Sequence, residues 1–396
     1  MVSRTLLTSY LAATVAGYSF LDFNFGPLSL QDNKKGEERQ QPIGAGSDDD
    51  PLSDFNHGFT KIPPKDFTGD LSEGPLFAGI VSFAHLPVLN CLNGDQKFDI
   101  AVVGAPFDTA VSYRNGARFG PSGIRDGSRR MAPGTYSAFD PESDPLSDAV
   151  VVDCGDIAMT PFDNRIALDQ LYRGERAILK NKAASDNKPP RIVTLGGDHT
   201  VTFSAIRAVS EVHGPVTVLH FDSHIDTWHP VALGGNVSSY SQLNHGTFLH
   251  YAHEKGFLTE HGNMHIGVRA PYVRKHKDLE NDKKCGFESI LAREIDTIGV
   301  EGISKKIMDQ AGTNKVYISV DIDVLDPAYA PGTGTAEAGG FTTREFLTLL
   351  DSLKGLNVVG ADVVEVSPPY DTNAQITALA ASEVANSLFS LIENAP

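Results

Sequence analysis

Short apolar runs rich in valine and isoleucine recur along the chain, separated by longer stretches in which apolar residues return with helical spacing. The runs are continuous rather than alternating, which is typical of strands that are covered on both faces in a parallel sheet. Seven runs therefore predict strands, at residues 99–106, 149–156, 191–198, 216–222, 264–269, 316–323 and 358–366.

Helical patterns lie between the predicted strands. Thr342 precedes Glu345 by three residues, which is the spacing of a capping box at a helix start. The alternation of strands and helices predicts one doubly wound α/β domain over residues 76–396. The predicted helices span Asn164 to Ala183, Val201 to Val212, Gly299 to Gln310, Thr343 to Leu353, and Ile376 to Ile392.

The first 75 residues have a different composition. Thr5 to Leu21 carries no charge, follows Arg4 and contains small residues, so we expect a signal peptide at residues 1–17 and export through the secretory pathway. A mitochondrial or cytoplasmic location is the alternative. Residues 18–75 are largely polar, acidic and rich in turn formers, which predicts a mobile segment. No stretch elsewhere approaches the roughly 20 apolar residues that span a bilayer, so we expect no membrane span.

Charge and cysteine content argue against several classes of protein. The chain has 33 Lys and Arg against 50 Asp and Glu, a net charge of −17, whereas a nucleic-acid binder needs a basic face. Its three cysteines, Cys91, Cys154 and Cys285, do not form a disulfide framework and contain no CxxC zinc motif. A pairing of Cys91 with Cys285 is the one disulfide that we consider.

Aspartates and histidines, the residue types that bind metals, follow three of the predicted strands at their carboxyl ends. In α/β sheets, small molecules and ions bind at these ends. Asp222, His224 and Asp226 alternate along one extended segment, which places all three on one side of it. Single motifs of this kind are often turns, helix caps or solvated loops, but carboxylates grouped at three strand ends would repel one another without a cation. The candidate ligands are His199, Asp222, His224, Asp226, Asp321 and Asp323, which are too many for one ion and enough for two.

The motifs GGDH at 196–199, DxHxD at 222–226 and SxDxDxxDP at 319–327 resemble those of the ureohydrolases, the family of arginase, agmatinase and their guanidino-acid relatives. The likeness runs from about residue 98 to the C-terminus and includes VGAPFD, NGARFGPSGIR, NHGTF and VVEVSPPYD. It implies a three-layer α/β/α sandwich with a mostly parallel eight-stranded sheet, whose eighth strand would lie near residues 290–295. It also implies a homo-oligomer, a trimer or a hexamer.

The resemblance implies two manganese ions per subunit and a role for each candidate ligand. A carboxylate-rich set with two imidazoles is also chemistry that suits Mn²⁺. Ser223 stands where the family has alanine or a similar residue, a small departure that leaves the ligands intact. One ion would be held by His199 and Asp226, the other by His224 and Asp323, with Asp222 and Asp321 bridging them.

Two further residues match catalytic positions of the family. Glu365 in VVEVSPP would bind and orient the guanidinium group of the substrate, and His245 in NHGTF would shuttle the proton to the leaving amine. Two metal ions would lower the pKa of a bound water, which is otherwise a poor nucleophile at neutral pH. His229, His250 and His253 compete with His245 for this role, but none of them precedes the Gly-Thr of the motif.

Substrate choice is expected to depend on the loop at residues 227–246. This loop lacks the Asn-Thr and Ser-Gly-Asn runs of arginases, while PGTGTAEAGG and EVSPPYD resemble the agmatinase branch. We therefore expect cleavage of agmatine to putrescine and urea, a step of polyamine biosynthesis, with Trp228 and Tyr240 beside the aliphatic chain. 4-Guanidinobutyrate is the alternative substrate, and a one-zinc amidase and a non-catalytic binding module are less favoured. Asn236 begins an N-glycosylation sequon in the loop.

Overall fold

A single eight-stranded sheet forms the centre of the computed structural model, which describes residues 76–235 and 237–396. Every strand pair is parallel, and the sheet confirms the predicted α/β class. The predicted signal peptide, the segment 18–75 and the sequon residue Asn236 lie outside the described residues. The strands are β1 (Ile100–Ala105), β2 (Val151–Asp156), β3 (Arg191–Gly196), β4 (Thr217–Phe221), β5 (Asn263–Val268), β6 (Phe287–Leu291), β7 (Lys315–Asp321) and β8 (Asn357–Val364).

The order of strands across the sheet is β2-β1-β3-β8-β7-β4-β5-β6. All seven strands predicted from apolar runs are present, but the eighth is β6, which ends where the predicted segment 290–295 begins. Among the described strands, β6 pairs only with β5, at the sheet edge. Glu288 and Leu291 are exposed, so β6 has no continuous apolar run in its sequence. Residues 292–294 form a short 3₁₀ turn instead.

The five predicted helices are all present and differ from the predictions at their ends, and four further helices among the described residues were not predicted. The second helix stops at Ile178 rather than Ala183, because Asn181 folds back and its side chain donates to the carbonyl of Ile178. Gly299, predicted as a helix start, lies inside a helix that begins earlier and bends there, at a φ of 67°. The helices are α1 (Gly120–Gly127), α2 (Asn164–Ile178), α3 (Val201–His213), α4 (Ser239–Gln242), α5 (Phe248–Glu254), α6 (Lys275–Lys284), α7 (Ile295–Ala311), α8 (Thr343–Asp351) and α9 (Ile376–Glu393).

Helices cover both faces of the sheet and give three layers. Helices α2, α3 and α5 contact one another on one face, while α1, α7, α8 and α9 form the other set. Successive residues of β1 divide accordingly, because Val102 packs into one apolar cluster and Val103 into the other. Burial of these continuous strands on both sides is the physical reason for their unbroken apolar sequences. Within the described residues, no helix is both long and apolar enough to cross a bilayer.

Cys91 forms a disulfide with Cys154, so the pairing with Cys285 that the sequence left open does not form. The segment before Cys91 pairs with β2, which carries Cys154, through a bridge between Val88 and Asp153. Cys285 is a buried free thiol that lies just before β6, and β2 and β6 are the two opposite edges of the sheet. The strand order, which the cysteine spacing does not reveal, decides the pairing.

Replacing Cys91 or Cys154 by serine should lower the free energy of unfolding by about 2–4 kcal/mol, because the open chain regains the entropy of a long loop. The double variant should lose no more than either single variant, since both remove the same bond. Denaturant titration of the three variants measures this, and peptide mapping without reductant identifies the bond. Additive losses, or a mapped link to Cys285, would contradict the assignment.

Candidate metal centre and active site

Four neighbouring strands, in the order β3-β8-β7-β4, bring their carboxyl ends to one edge of the sheet. The turn after β3 carries His199, β7 ends in Asp321 and continues to Asp323, and Glu365 follows β8. The segment after β4 carries the alternating Asp222, His224 and Asp226. Topology thus joins residues more than 160 positions apart, as the sequence motifs predict.

The first cluster forms around the imidazole of His199. Its Nδ1 lies 3.1 Å from Asp222 Oδ2, 3.2 Å from Asp226 Oδ2 and 3.4 Å from Asp321 Oδ2. All four side chains are buried. Asp226 reaches this position from a left-handed backbone conformation with a φ of 47°, which is uncommon for a residue other than glycine.

The second cluster forms around His224, and it shares Asp222 with the first. His224 Nδ1 lies 3.1 Å from Asp222 Oδ1 and 3.2 Å from Asp323 Oδ2. The two oxygens of Asp222 therefore face different histidines. Asp321 is less symmetric, because its Oδ1 accepts the backbone N–H of Asp323 at 2.8 Å while its Oδ2 faces His199. Asp198, the other acid of GGDH, accepts the N–H groups of Ala110 and Thr200 and shapes the turn.

The donor atoms of this edge fit a bound cation. Among the described residues, His199 Nδ1 and Asp222 Oδ2 are buried side-chain atoms without a hydrogen-bond partner. Burial, with Asp323 and Asp222 nearby, raises the pKa of Asp321 well above its usual value. Burial would also raise the pKa of Asp222, but His220, His199 and His224 outweigh it and hold that pKa well below normal. Among the described residues, the cluster thus joins buried carboxylates with imidazoles and has no lysine or arginine paired with its carboxylates, a donor set that suits a metal ion.

Glu365 and His245 meet beside the first cluster. Glu365 Oε1 accepts the backbone N–H of His199 at 2.9 Å and lies 3.2 Å from His245 Nδ1. Its backbone φ is 60°, and its N–H donates to the carbonyl of Gly197. Gly197 is needed here, because a Cβ at this position would lie 2.0 Å from the carbonyl oxygen of Phe107.

The other nitrogen of His245 contacts the loop after β1. His245 Nε2 accepts the N–H of Ser112 at 3.1 Å and lies 2.8 Å from its hydroxyl. Nε2 is therefore the acceptor, and Nδ1–H donates to Glu365. Burial would lower the pKa of His245, but the hydrogen bond and charge of Glu365 raise it instead.

The three histidines that compete with His245 lie apart from Glu365. The rings of His229 and His250 are 5.2 Å apart, and His250 lies 3.4 Å from Glu254 on α5. Neither these two nor His253 forms a described contact with Glu365. Trp228 is only 7% exposed and packs against Ile225 and Val268, with its ring centroid 6.1 Å from that of His224. The side chain of Tyr240 lies outside the described part of the structure.

Two buried histidines extend the site in a way that the sequence interpretation missed. His220 lies on β4 with its Nε2 3.1 Å from Asp222 Oδ2, and its Nδ1 is 2.8 Å from His265 Nδ1. His265 Nε2 in turn lies 2.9 Å from Asp282. Burial lowers the pKa of His220 to about 3. The alternation that revealed Asp222 continues back to His220 and could have identified it, whereas no spacing points to His265 or Ser112.

The parallel sheet and the acid and imidazole clusters at its carboxyl edge are typical of metal-dependent enzymes of the α/β class. A family model described as the Arginase family matches residues 98–390, and the chain belongs to that family. It is therefore an amidinohydrolase of the ureohydrolase type, which confirms the resemblance seen in the motifs.

The chain is similar to several known proteins over most of its length. It is 46% identical to a protein named "Putative agmatinase 1" of Schizosaccharomyces pombe, over 83% of this chain and 86% of that one. It is 38% identical to proclavaminate amidinohydrolase of Streptomyces clavuligerus, over 80% and 94%. A solved structure of the proclavaminate enzyme matches with a TM-score of 0.71 at 35% identity, over 81% of this chain and 99% of that chain. A hypothetical agmatinase from Burkholderia thailandensis matches with a TM-score of 0.69 at 33% identity, over 81% and 92%.

Glu175 on α2 is a further buried carboxyl outside the two clusters. It accepts the hydroxyl of Thr194 at 2.9 Å and is fully enclosed. Burial raises the pKa of Glu175 to about 8, and the nearby carboxylate of Asp362 adds to the rise. Glu175 therefore carries its proton at neutral pH in the folded protein.

Replacing Glu175 by glutamine should remove a pH-dependent penalty. Between pH 4.5 and about 8 the unfolded chain loses this proton while the folded protein keeps it, so the wild type loses stability as the pH rises through this window. The variant lacks this pH dependence. Its free energy of unfolding relative to that of the wild type should therefore rise by roughly 2–5 kcal/mol from pH 4.5 to 8. Denaturant titrations of both proteins across this range measure the difference. Parallel stability curves would show that Glu175 ionises normally.

Proposed function

We propose that the protein is a dimanganese amidinohydrolase that cleaves agmatine to putrescine and urea. The observation that carries this proposal is the position of Asp222, whose two oxygens face the Nδ1 atoms of two different histidines. A carboxylate shared in this way is the arrangement that a two-metal hydrolase requires.

The ligand assignment follows the two clusters. His199 and Asp226 would hold one ion and His224 and Asp323 the other, with Asp222 bridging and Asp321 completing the set. Four carboxylates and two imidazoles favour Mn²⁺ over ions that prefer thiolates. When bound, the metals would supply Lewis acidity, which activates water for attack on the substrate.

The remaining chemistry falls to Glu365 and His245. The Glu365 carboxylate would pair with the guanidinium group of the substrate and hold its carbon against the metal cluster. Glu365 is 1% exposed, so bulk water competes little for this ion pair. His245 holds its proton on Nδ1, next to Glu365, where the leaving nitrogen of the substrate would lie. Ser112 keeps the ring in this tautomer by donating to Nε2.

Agmatine is favoured by the relatives named as agmatinases and by an acidic group near the metal clusters. Glu337 Oε1 lies 3.9 Å from His224 Nε2, where a carboxylate would attract the ammonium end of a diamine-like substrate. The acidity of the whole chain acts in the same direction. Trp228 is too enclosed to offer a broad wall, so its role in substrate binding would be limited to its exposed edge.

A guanidino acid such as 4-guanidinobutyrate is the second candidate. Arg114 lies on the loop that also carries Ser112, and its guanidinium group is 5.3 Å from the ring centre of Tyr370. The backbone of Arg114 approaches the site, because a Cβ at Gly334 would lie 2.6 Å from the Arg114 carbonyl oxygen and 3.7 Å from Glu365 Oε2. A cation on this residue would favour a substrate that ends in a carboxylate. The similarity to proclavaminate amidinohydrolase supports the same candidate.

Location and assembly are further parts of the proposal. Export through the secretory pathway is supported by the uncharged leader and agrees with the Cys91–Cys154 disulfide, since such bonds persist in oxidising compartments. A mitochondrial or cytoplasmic location is the alternative. A trimer or hexamer is proposed from the family resemblance alone.

A urea-release assay with Mn²⁺ should give the highest kcat/KM with agmatine, a lower value with 4-guanidinobutyrate and the lowest with arginine. The acidic Glu337 near the site favours agmatine over 4-guanidinobutyrate, and arginine ranks last because the loop at 227–246 lacks the polar runs of arginases. Colorimetric urea detection over a range of substrate concentrations measures the ranking. A preference for 4-guanidinobutyrate would select the second candidate. The absence of urea from all three compounds would contradict an amidinohydrolase.

Two variants should separate metal binding from proton transfer. Asp222→Ala should lose both metal ions and reduce kcat/KM by about 1000-fold or more, because Asp222 contributes to both clusters. His245→Asn should keep two ions but lower kcat by about 100- to 10,000-fold, as expected for loss of a general acid. Elemental analysis and steady-state kinetics measure these effects, with the surface variant Asp95→Ala as control. Full metal content in Asp222→Ala would refute the bridging role.

A further inference from the structure

A hydrogen-bond chain leads from the first cluster into the protein interior, on the side of His199 that faces away from the carboxylates. His199 Nδ1 faces Asp222, Asp226 and Asp321, while its Nε2 lies 2.8 Å from the hydroxyl oxygen of Ser319 on β7. The Ser319 hydroxyl donates to Asp362 Oδ1 at 2.7 Å. Ser319 and Asp362 are direct partners in the register of β7 and β8, so the backbone itself sets this contact.

Asp362 is surrounded by hydroxyl donors and has no access to solvent. Its Oδ2 accepts the hydroxyl of Tyr317 at 2.8 Å and that of Thr202 at 2.8 Å. Tyr317 lies two residues before Ser319 on the same face of β7, and Thr202 belongs to α3. All of these side chains are buried. Three hydroxyls from two elements therefore converge on one carboxylate, and Ser319 links that carboxylate to His199.

The backbone makes room for this arrangement. Gly360, the register partner of Tyr317 on β8, allows the aromatic ring to lie close against the strand. A Cβ at Gly360 would lie 3.1 Å from the Tyr317 ring and 3.2 Å from Val209 on α3. The glycine thus permits the ring position from which Tyr317 reaches Asp362.

The direction of each hydrogen bond follows from donor and acceptor counting. The hydroxyls of Ser319, Tyr317 and Thr202 all donate to Asp362, so the single O–H of Ser319 is used in that hydrogen bond. The Ser319 oxygen can then only accept from His199, which places a proton on His199 Nε2. His199 Nδ1 is left to present a lone pair to the cluster, and metal-binding histidines need their ring orientation and tautomer set in this manner.

We propose that Asp362 is a positioning residue for the first metal position, acting through Ser319 to orient His199 and leave its Nδ1 free for the ion. This inference rests on the ligand assignment proposed above. Tyr317 and Thr202 hold the carboxylate of Asp362 in place, and Glu175 lies nearby without touching Ser319.

Equilibrium binding of Mn²⁺ to the full-length, metal-stripped enzyme tests this proposal. Ser319→Ala and Asp362→Asn should weaken one of the two bound ions by about 10- to 100-fold, as loss of a partner behind a ligand histidine does, and leave the other within about threefold. Asp362→Asn should weaken Mn²⁺ binding at least as much as Ser319→Ala. Its amide can donate to Ser319, which would then donate to His199 and reverse the direction of both hydrogen bonds. Electron paramagnetic resonance of free Mn²⁺ gives both dissociation constants.

Tyr317→Phe is the matched control, because it removes one buried hydroxyl from the same carboxylate while the hydroxyls of Thr202 and Ser319 still hold Asp362. It should change both dissociation constants by less than about threefold, and so should Glu175→Gln. The thermal midpoint of each metal-free variant shows whether it folds. If either Ser319→Ala or Asp362→Asn fails to fold, the other variant still tests the proposal. Equal weakening of both ions, equal effects of Ser319→Ala and Tyr317→Phe, or unchanged binding would overturn the proposal. Absence of urea release with intact selective binding would count against the proposed function only.

Discussion

The buried negative charge at the carboxyl edge of the sheet is the constraint on which the rest of the structure depends. Asp222, Asp226, Asp321 and Asp323 are all less than 6% exposed, and Glu365 lies beside them. Isolated carboxylates cost several kcal/mol each to bury, so they require either protons or a nearby positive charge. The structure supplies imidazoles on several sides of the cluster but no lysine or arginine in contact with its described carboxylates. Bound cations would offset the free energy of burying these carboxylates, and the fold is arranged to hold them.

The sheet order and two strained residues produce this concentration of charge. Only because β3, β8, β7 and β4 are neighbours can their four exit loops share one small volume. Asp226 and Glu365 both adopt positive φ values, which L residues with side chains seldom do without support from the surrounding structure. Gly197, in the turn after β3, lets the backbone of Phe107 lie close, and Gly360, within β8, lets the ring of Tyr317 lie close. Rigid elements thus hold the reactive groups in position on one side and the supporting hydroxyls on the other.

Much of this arrangement could be predicted from the sequence, because local patterns encode it. Continuous apolar runs revealed seven strands, and alternation after β4 indicated three of the proposed ligands. What the sequence left open depends on tertiary neighbours. The pairing of Cys91 with Cys154 requires the strand order, and β6 is an edge strand without an apolar signature. His265 and Ser112 reach the site from separate elements, so no motif spacing points to them.

The central claim is that two metal ions lie on either side of Asp222. Anomalous diffraction from crystals of the protein grown with Mn²⁺ tests it most directly. The account predicts two anomalous peaks per chain, one against His199 Nδ1 and Asp222 Oδ2 and the other against His224 Nδ1 and Asp222 Oδ1. A single peak, or no peak between these atoms, would contradict it.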